Sequence, residues 1–155
     1  MLIDVPGIRN SWASTEAGIC ESLSCCISHN SLEHALSACF PEVPHGAGLT
    51  MLSVAYFGYL AERNPQRFPD LARALGEPTD GLARKDQALA FVTGLKKLIR
   101  SIGLDQHKLS KFGVQRTDLR RLAENAFHTM GKLFAITPVK LTRDDATAIY
   151  ERAYA

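Results

Sequence analysis

The sequence predicts an all-α protein, a bundle of about seven helices joined by short loops. Three observations support this prediction. Apolar residues recur at helical spacing in several long segments, and no segment of useful length alternates apolar and polar residues as a half-buried strand does. Proline, glycine and capping residues also divide the chain at intervals that suit helices. A chain of 155 residues is long enough for one domain with a sizeable core.

The first predicted helix covers residues 11–28, with small or apolar residues on its inner face at Ala13, Ala17, Cys20, Leu23 and Ile27. The pattern continues through residues 32–40, until Pro41 and Pro44 end it. A third helix is predicted from His45 or Gly46 to about Arg63. Its segment "LTMLSVAYFGYL" is almost wholly apolar, so most of its circumference should be buried.

The rest of the chain, after the third helix, is predicted to hold four more helices. The segment "FPDLARALG" is a short helix with a proline in its first turn and a glycine as its stop. Residues 84–102 form the fifth helix, ended by Gly103, with Leu89, Val92, Leu95, Ile99 and Ile102 facing inward.

Capping residues mark the last two helices. After the connector "HKLSKFGV", Thr117 and Asp118 start a sixth helix that Gly131 stops. Thr142 and Asp145 have the spacing of a capping box for a final helix to Ala153.

Composition excludes several functional classes. The formal charge of +2 is small and its basic residues are dispersed, so we expect no nucleic acid partner. No apolar run reaches the roughly 18 residues of a membrane span, and the N-terminus does not resemble a signal peptide. The four cysteines form no C-x-x-C pair, which favours reduced thiols in a cytoplasmic protein. No nucleotide phosphate-binding motif is present.

The segment with the most chemical potential is "HNSLEHALSACFPEVPHGAGL", residues 29–49, which holds three of the five histidines. Asn30 and His34 share a helix face because they are four residues apart. The turn "FPEVP" can fold the helix that starts at His45 back against them, placing all three on one inner surface. Imidazoles on two packed helices are a common way to bind a divalent metal. Histidines packed structurally in the core are the alternative, and these residues alone leave both open.

The stretch "SLEHALSACFPEVPHGAGL" resembles the metal-binding signature of the iron-containing (group III) alcohol dehydrogenases. The later segments "LKKLIRSIGL", "LSKFGV", "LRRLAENAF" and "LTRDDATAIYERAY" follow in the order of that family's C-terminal helical domain. The resemblance therefore implies a single helical domain over residues 11–155. Residues 1–10 are expected to be a poorly ordered N-terminal extension.

The resemblance implies a metal site and roles for its residues. Family members are NAD(P)-dependent reductases of aldehydes and ketones, reversible as alcohol oxidation, with iron or zinc held by an aspartate and three histidines. The "PHG" histidine maps to His45, a metal ligand. The "LEHAL" histidine maps to His34, a catalytic residue beside the metal. The family places another histidine ligand four residues earlier, where this chain has Asn30. His29 could replace that ligand only if the helix were locally shifted.

Two parts of the family pattern are missing from these 155 residues. There is no D-x-x-x-H pair to supply the remaining two ligands, and no glycine-rich nucleotide-binding domain. The resemblance therefore implies a partial metal site, an NAD(P) site outside this chain, and a truncated protein that is inactive alone. Its alcohol or aldehyde substrate would require completion by a nucleotide-binding domain. Whether the chain is itself an enzyme stays open at this point.

Two other functions remain as alternatives. One is a non-catalytic helical remnant or interaction module that keeps the fold without metal and associates as a homo-oligomer or with a separate chain. Its interface would be the apolar third helix, although burial of that helix in the core is the expected use. The other is an unrelated bundle whose histidines are structural.

Overall fold

The computed structural model describes residues 8–154, and within that range the chain forms seven α-helices and no strand. They are α1 (Ile8–Leu23), α2 (Ser28–Cys39), α3 (His45–Arg63), α4 (Phe68–Ala74), α5 (Arg84–Ser101), α6 (Leu119–Ala135) and α7 (Arg143–Ala153). The all-α prediction of about seven helices is therefore confirmed. In the described range no helix is long and apolar enough to cross a membrane.

The core lies where α2, α3, α6 and α7 meet. Its largest fully buried side chains come from all four helices and include Leu32, Leu36, Leu52, Tyr56, Leu122, Ile149 and Tyr150. Burying one such aliphatic side chain stabilises the fold by roughly 1.5–3 kcal/mol relative to leaving it exposed. The core therefore fixes α2 against α3, and these two helices carry the histidine-rich segment.

The first helix differs from the prediction. It ends at Leu23, and residues 24–27 separate it from α2, so the predicted continuous helix over residues 11–28 is wrong. Every side chain from residue 10 to residue 25 is exposed, including Trp12 at 64% and Leu23 at 84%. The sequence pattern indicates an apolar stripe, but a stripe does not specify which element covers it. Of the predicted N-terminal extension over residues 1–10, residues 1–7 lie outside the described residues and residues 8–10 belong to α1.

The fifth helix has the predicted position, and its inner face matches the predicted one in part. Its buried residues are Ala88, Phe91, Gly94 and Ile99, whereas Leu89 and Ile102 are exposed. Gly94 packs closely, since a methyl group there would lie 2.9–3.1 Å from side-chain atoms of Leu75 and Glu77. Small residues therefore form part of the contact face. Of the residues predicted to face inward, Ile99 is buried and Val92 and Leu95 pack against the core, whereas Leu89 and Ile102 do not.

The sixth helix is kinked where the sequence predicted its end. Met130 has non-helical φ and ψ of −131° and 36°, and the helix then continues through Gly131 to Ala135. Its carbonyl oxygen at the kink accepts a hydrogen bond from the buried Ser31 hydroxyl of α2 at 3.0 Å. A polar partner at a kink is a common cause of a bent but uninterrupted helix. Gly131 therefore follows the kink and does not stop the helix.

Candidate metal centre

A tight turn joins α2 to α3 and places the end of one beside the start of the other. The Val43 amide donates to the Phe40 carbonyl at 3.0 Å, and Val43 is 2% exposed. Pro44 then caps α3 in an extended conformation, and its carbonyl accepts the Gly48 amide at 3.0 Å. Because a proline nitrogen has no hydrogen to leave unpaired, this residue suits a helix start. The turn thus reverses the chain as the "FPEVP" segment predicted.

Hydroxyl groups anchor the start of α2 to its neighbours. The buried Ser28 hydroxyl lies 2.8 Å from the Tyr56 hydroxyl of α3, and the Ser28 amide donates to Thr137 Oγ1 at 3.1 Å. Tyr150 of α7 is fully buried and donates its hydroxyl hydrogen to the Leu32 carbonyl at 2.5 Å. Buried hydrogen-bonded groups of this kind are costly to break because each leaves a partner unsatisfied. The helix that carries the histidine-rich motif is therefore held on three sides.

His34 and His45 lie side by side at the α2–α3 junction. Their ring centroids are 5.1 Å apart, and the rings are tilted by 54°. His34 is exposed, and the His45 side chain is 51% exposed. The structure therefore places both imidazoles at the surface, where a metal ion or a group from outside the described residues can reach them.

Glu33 is the third residue of this cluster. Its side chain is 0% exposed, and Oε2 is in hydrogen-bond contact with Nδ1 of His45. One donor atom from each of Glu33, His34 and His45 can be chosen so that all three lie within 4.8 Å of one another. A carboxylate with two imidazoles is a donor set that suits iron or zinc.

The environment of Glu33 is unusual for a glutamate. Its Oε1 is buried and has no hydrogen-bond partner among the described residues. Leaving one such acceptor unsatisfied costs on the order of 1–3 kcal/mol, so unpaired buried groups are rare, and a catalytic role or a bound water or ion is among the explanations for them. The carboxylate fits beneath α3 because residue 48 is glycine, where a methyl group would lie 2.7 Å from Oε1. Glu33 was not identified from the sequence, although its place inside the "LEHAL" motif was a signal for it.

The structure places His29 apart from this cluster. Its Nε2 lies 3.1 Å from the Leu49 carbonyl, and its ring packs against Tyr56 and Phe57 with centroids 4.9 and 5.2 Å away. Burial lowers the pKa of His29 to about 4, so the ring is neutral at pH 7 and donates its Nε2 hydrogen to the carbonyl. These contacts are those of a packed core histidine.

Asn30 lies one helical turn before His34 on α2 and is half-buried. The backbone N–H of Asn30 donates to the Ile27 carbonyl at 3.0 Å, in the first turn of α2. Among residues 8–154, the side chain of Asn30 forms no hydrogen bond. Position 30 therefore presents an amide on the His34 side of α2, at the helix start.

Comparison with known proteins identifies the family of this arrangement. The model of the Fe-containing alcohol dehydrogenase family, C-terminal part, matches residues 10–154. The chain belongs to the iron-containing alcohol dehydrogenase family. The resemblance inferred from the motifs is thereby confirmed, and the match extends over nearly the whole chain.

Several characterised dehydrogenases resemble this member of the iron-containing alcohol dehydrogenases. The 1,3-propanediol dehydrogenase of Citrobacter freundii is 30% identical over 125 residues, which is 81% of this chain and 31% of that protein. The lactaldehyde reductase of Escherichia coli K12 is 27% identical over 123 residues, 79% of this chain and 31% of that one. The chain thus spans about a third of the length of these relatives.

Solved structures also match this chain over about a third of their own length. A 1,3-propanediol oxidoreductase superposes with a TM-score of 0.75 at 29% identity, covering 83% of this chain and 32% of that one. The alcohol dehydrogenase from Oenococcus oeni gives a TM-score of 0.72 at 32% identity, with the same coverage. This chain therefore corresponds to the C-terminal helical part of an iron-containing alcohol dehydrogenase, a family whose cofactors are a metal ion and NAD(P).

Proposed function

We propose that this chain is the metal-side helical part of an NAD(P)-dependent alcohol dehydrogenase or carbonyl reductase. The observation that carries the proposal is the α2–α3 junction, where two imidazoles at the surface lie beside a buried carboxylate. This junction is formed by the stretch that resembles the family's metal-binding signature. The activity itself belongs to the longer relatives, so for this chain it remains a proposal.

Within this proposal His45 is the metal ligand. Its Nδ1 faces Glu33, so its other ring nitrogen, Nε2, is left to bind a metal. When bound, iron or zinc acts as a Lewis acid that polarises the carbonyl of the substrate while the nicotinamide exchanges hydride. His34 is exposed with its ring 5.1 Å from that of His45, a position from which it can hold or pass a proton.

For the altered ligand position, the contacts favour Asn30 over His29. The His29 ring would have to give up its hydrogen bond to the Leu49 carbonyl and its packing on Tyr56 to reach a metal. Asn30 shares the face of His34 and can offer a carbonyl oxygen, a weaker ligand than imidazole. We therefore assign Asn30 a minor ligand role and His29 a structural role.

The remaining ligands and the NAD(P) site are assigned to residues outside these 155. The sequence has no D-x-x-x-H pair, and the matched part covers only 31% of the 1,3-propanediol dehydrogenase of Citrobacter freundii. An alcohol or aldehyde would then bind in the completed protein, between this junction and the cofactor. Iron and zinc both suit the donors present, and the choice between them depends on the ligands supplied elsewhere.

A second candidate function is a non-catalytic helical module that keeps the fold without metal. The observation that favours it is Asn30, since an amide stands where the family pattern has an imidazole ligand. In this case His34 and His45 would be surface residues held by Glu33 and by helix packing. Association as a homo-oligomer or with another chain would then be the function.

Metal binding by the purified chain separates the two functions. Titration with Zn²⁺, or with Fe²⁺ under anaerobic conditions, should show near-stoichiometric binding that is lost in His45→Ala and kept in the control His128→Ala. His128 is an exposed histidine of α6 outside the cluster. At a free metal concentration of 100 Kd, binding stabilises the fold by about 2.7 kcal/mol. No bound metal, with equal melting temperatures for wild type and His45→Ala, would support the non-catalytic module.

Activity of the isolated chain provides a separate check. Because the cofactor site is assigned to residues outside these 155, the chain alone should not reduce aldehydes with NADH or NADPH. Nicotinamide oxidation that depends on both the aldehyde and the chain, followed at 340 nm, would show that the chain carries its own cofactor site. That result would contradict the proposal that the NAD(P) site lies outside these 155 residues.

A further inference from the structure

The contact between Glu33 and His45 has consequences for which nitrogen of His45 can bind a metal. Glu33 is fully buried, whereas the His45 ring is half-exposed, so the Nδ1 edge of the ring faces the protein interior. An ionised carboxylate can only accept hydrogen bonds. With Glu33 ionised, the hydrogen of a neutral His45 resides on Nδ1, and this leaves the lone pair on Nε2.

Three features keep the Glu33 carboxylate in place. Residue 33 lies in the middle of α2, and the nearby α2 residues Leu32 and Ala35 are buried and fix the position of the helix. The carboxylate has no route to solvent at 0% exposure. Gly48 of α3 leaves the space it occupies, since a methyl group would lie 2.7 Å from Oε1 and 2.9 Å from Cγ. Packing against α3 thus determines the position of the carboxylate.

We propose that Glu33 is a positioning residue that holds His45 in the Nδ1–H tautomer and directs Nε2 towards the metal. A carboxylate that accepts from the non-ligating nitrogen of a metal-bound histidine fixes the orientation of the ring and increases its basicity. This inference rests on the proposed function, because it requires His45 to be the ligand. It adds a residue, Glu33, and a supporting glycine, Gly48, to the site.

The first test uses the metal-free chain. Nitrogen-15 NMR of the imidazole side chains distinguishes a protonated Nδ1 from a protonated Nε2, and His45→Gln identifies the His45 signals. We expect the wild type to show His45 with its hydrogen on Nδ1 at neutral pH. A hydrogen on Nε2 would overturn the proposal even if metal binding were normal.

The second test measures the Zn²⁺ affinity of variants at position 33. Glu33→Leu removes the acceptor and should lower the affinity by about 10- to 100-fold, the usual effect of losing such a partner. Glu33→Gln keeps a carbonyl acceptor and should retain the Nδ1–H tautomer with a smaller loss of affinity. The matched control Glu42→Leu changes an exposed glutamate in the α2–α3 turn and should leave both readouts unchanged.

The combined outcomes separate this proposal from the proposed function. Unchanged affinity in Glu33→Leu would overturn the positioning role. Complete loss of Zn²⁺ in Glu33→Gln with the Nδ1–H tautomer kept would assign the carboxylate to the metal itself and also overturn it. If Glu33→Leu fails to fold, as judged by circular dichroism, the tautomer of the wild type and the Zn²⁺ affinity of Glu33→Gln still test the positioning role of Glu33. A wild type that binds no Zn²⁺ would refute the ligand role of His45, while its tautomer would still report on the Glu33 contact.

Discussion

The substitution Gly48→Ala is expected to destabilise the protein although alanine is the better helix former. The new methyl group would lie 2.7 Å from Oε1 and 2.9 Å from Cγ of Glu33, closer than carbon atoms approach such neighbours without displacement. Because Glu33 is fully buried, its side chain can relieve the overlap only by disturbing the core and its contact with His45. Overpacking of this kind costs about 1–3 kcal/mol, whereas replacing glycine by alanine in a helix returns at most about 1 kcal/mol.

The matched control is Gly46→Ala, two residues earlier in the same helical turn. A methyl group at Gly46 meets nothing within 4 Å, so this variant has the gain in helix propensity without the overlap. The difference between the two variants therefore isolates the overlap, at about 1–3 kcal/mol. In a chain of this size 1 kcal/mol shifts the melting temperature by roughly 2–4 °C. Thermal unfolding followed by circular dichroism should show Gly48→Ala melting below Gly46→Ala, and equal or reversed melting temperatures would refute the packing of Glu33 under α3.

Three further predictions concern the core that holds the site. Tyr150→Phe removes the hydrogen bond to the Leu32 carbonyl and should lower the free energy of unfolding by about 1 kcal/mol in urea titrations, with no change in m-value. Leu52→Ala should cost about 2–5 kcal/mol because Leu52 is fully buried, whereas Leu71→Ala, at an exposed position, should cost well under 1 kcal/mol in the same assay. The pKa of His29 is lowered by burial from 6.5 to about 4, so folding favours the neutral ring. Its contribution is complete above pH 6.5 and is lost as the pH falls towards 4, so the stability advantage of wild type over His29→Gln should shrink by about 3 kcal/mol over that interval. An advantage that does not change with pH would contradict the burial of a neutral His29.

Helix starts were predicted well where a capping box or a proline specifies them, whereas the glycine signal at Gly131 did not end α6. Thr142 accepts the Asp145 amide at 3.2 Å and Asp145 accepts the Thr142 amide at 2.8 Å, the reciprocal pair that the spacing indicated. The start of α3 after Pro44 was predicted for the same reason. Such signals act through residues a few positions apart, so one sequence contains all the information they need.

Features that depend on distant parts of the chain were predicted poorly. The helical spacing of α1 could not show that its stripe is uncovered, and leucine positions in α5 could not show that Gly94 is the point of close packing. The kink at Met130 involves Ser31, 99 residues earlier. These outcomes depend on which helices meet, and no local pattern specifies that.

In the candidate site, too, local features were predicted and features that depend on distant residues were not. The motif led to His34 and His45 as neighbours, and the structure places their rings 5.1 Å apart. Glu33 was missed because a glutamate within an amphipathic helix is ordinarily exposed, and only its position beneath Gly48 shows that it is buried. His29 is distinguished from the other two by the Leu49 carbonyl and the Tyr56 ring, which come from the facing helix.

The proposed function requires that His45 bind a divalent metal through Nε2 at the α2–α3 junction. Anomalous X-ray diffraction at the zinc edge, on crystals of the chain grown with Zn²⁺, tests this binding directly. We expect an anomalous peak about 2.0–2.1 Å from Nε2 of His45, with Nδ1 still paired with Glu33. A crystal saturated with Zn²⁺ that shows no peak at His45, or a peak on Nδ1 with Glu33 displaced, would contradict it.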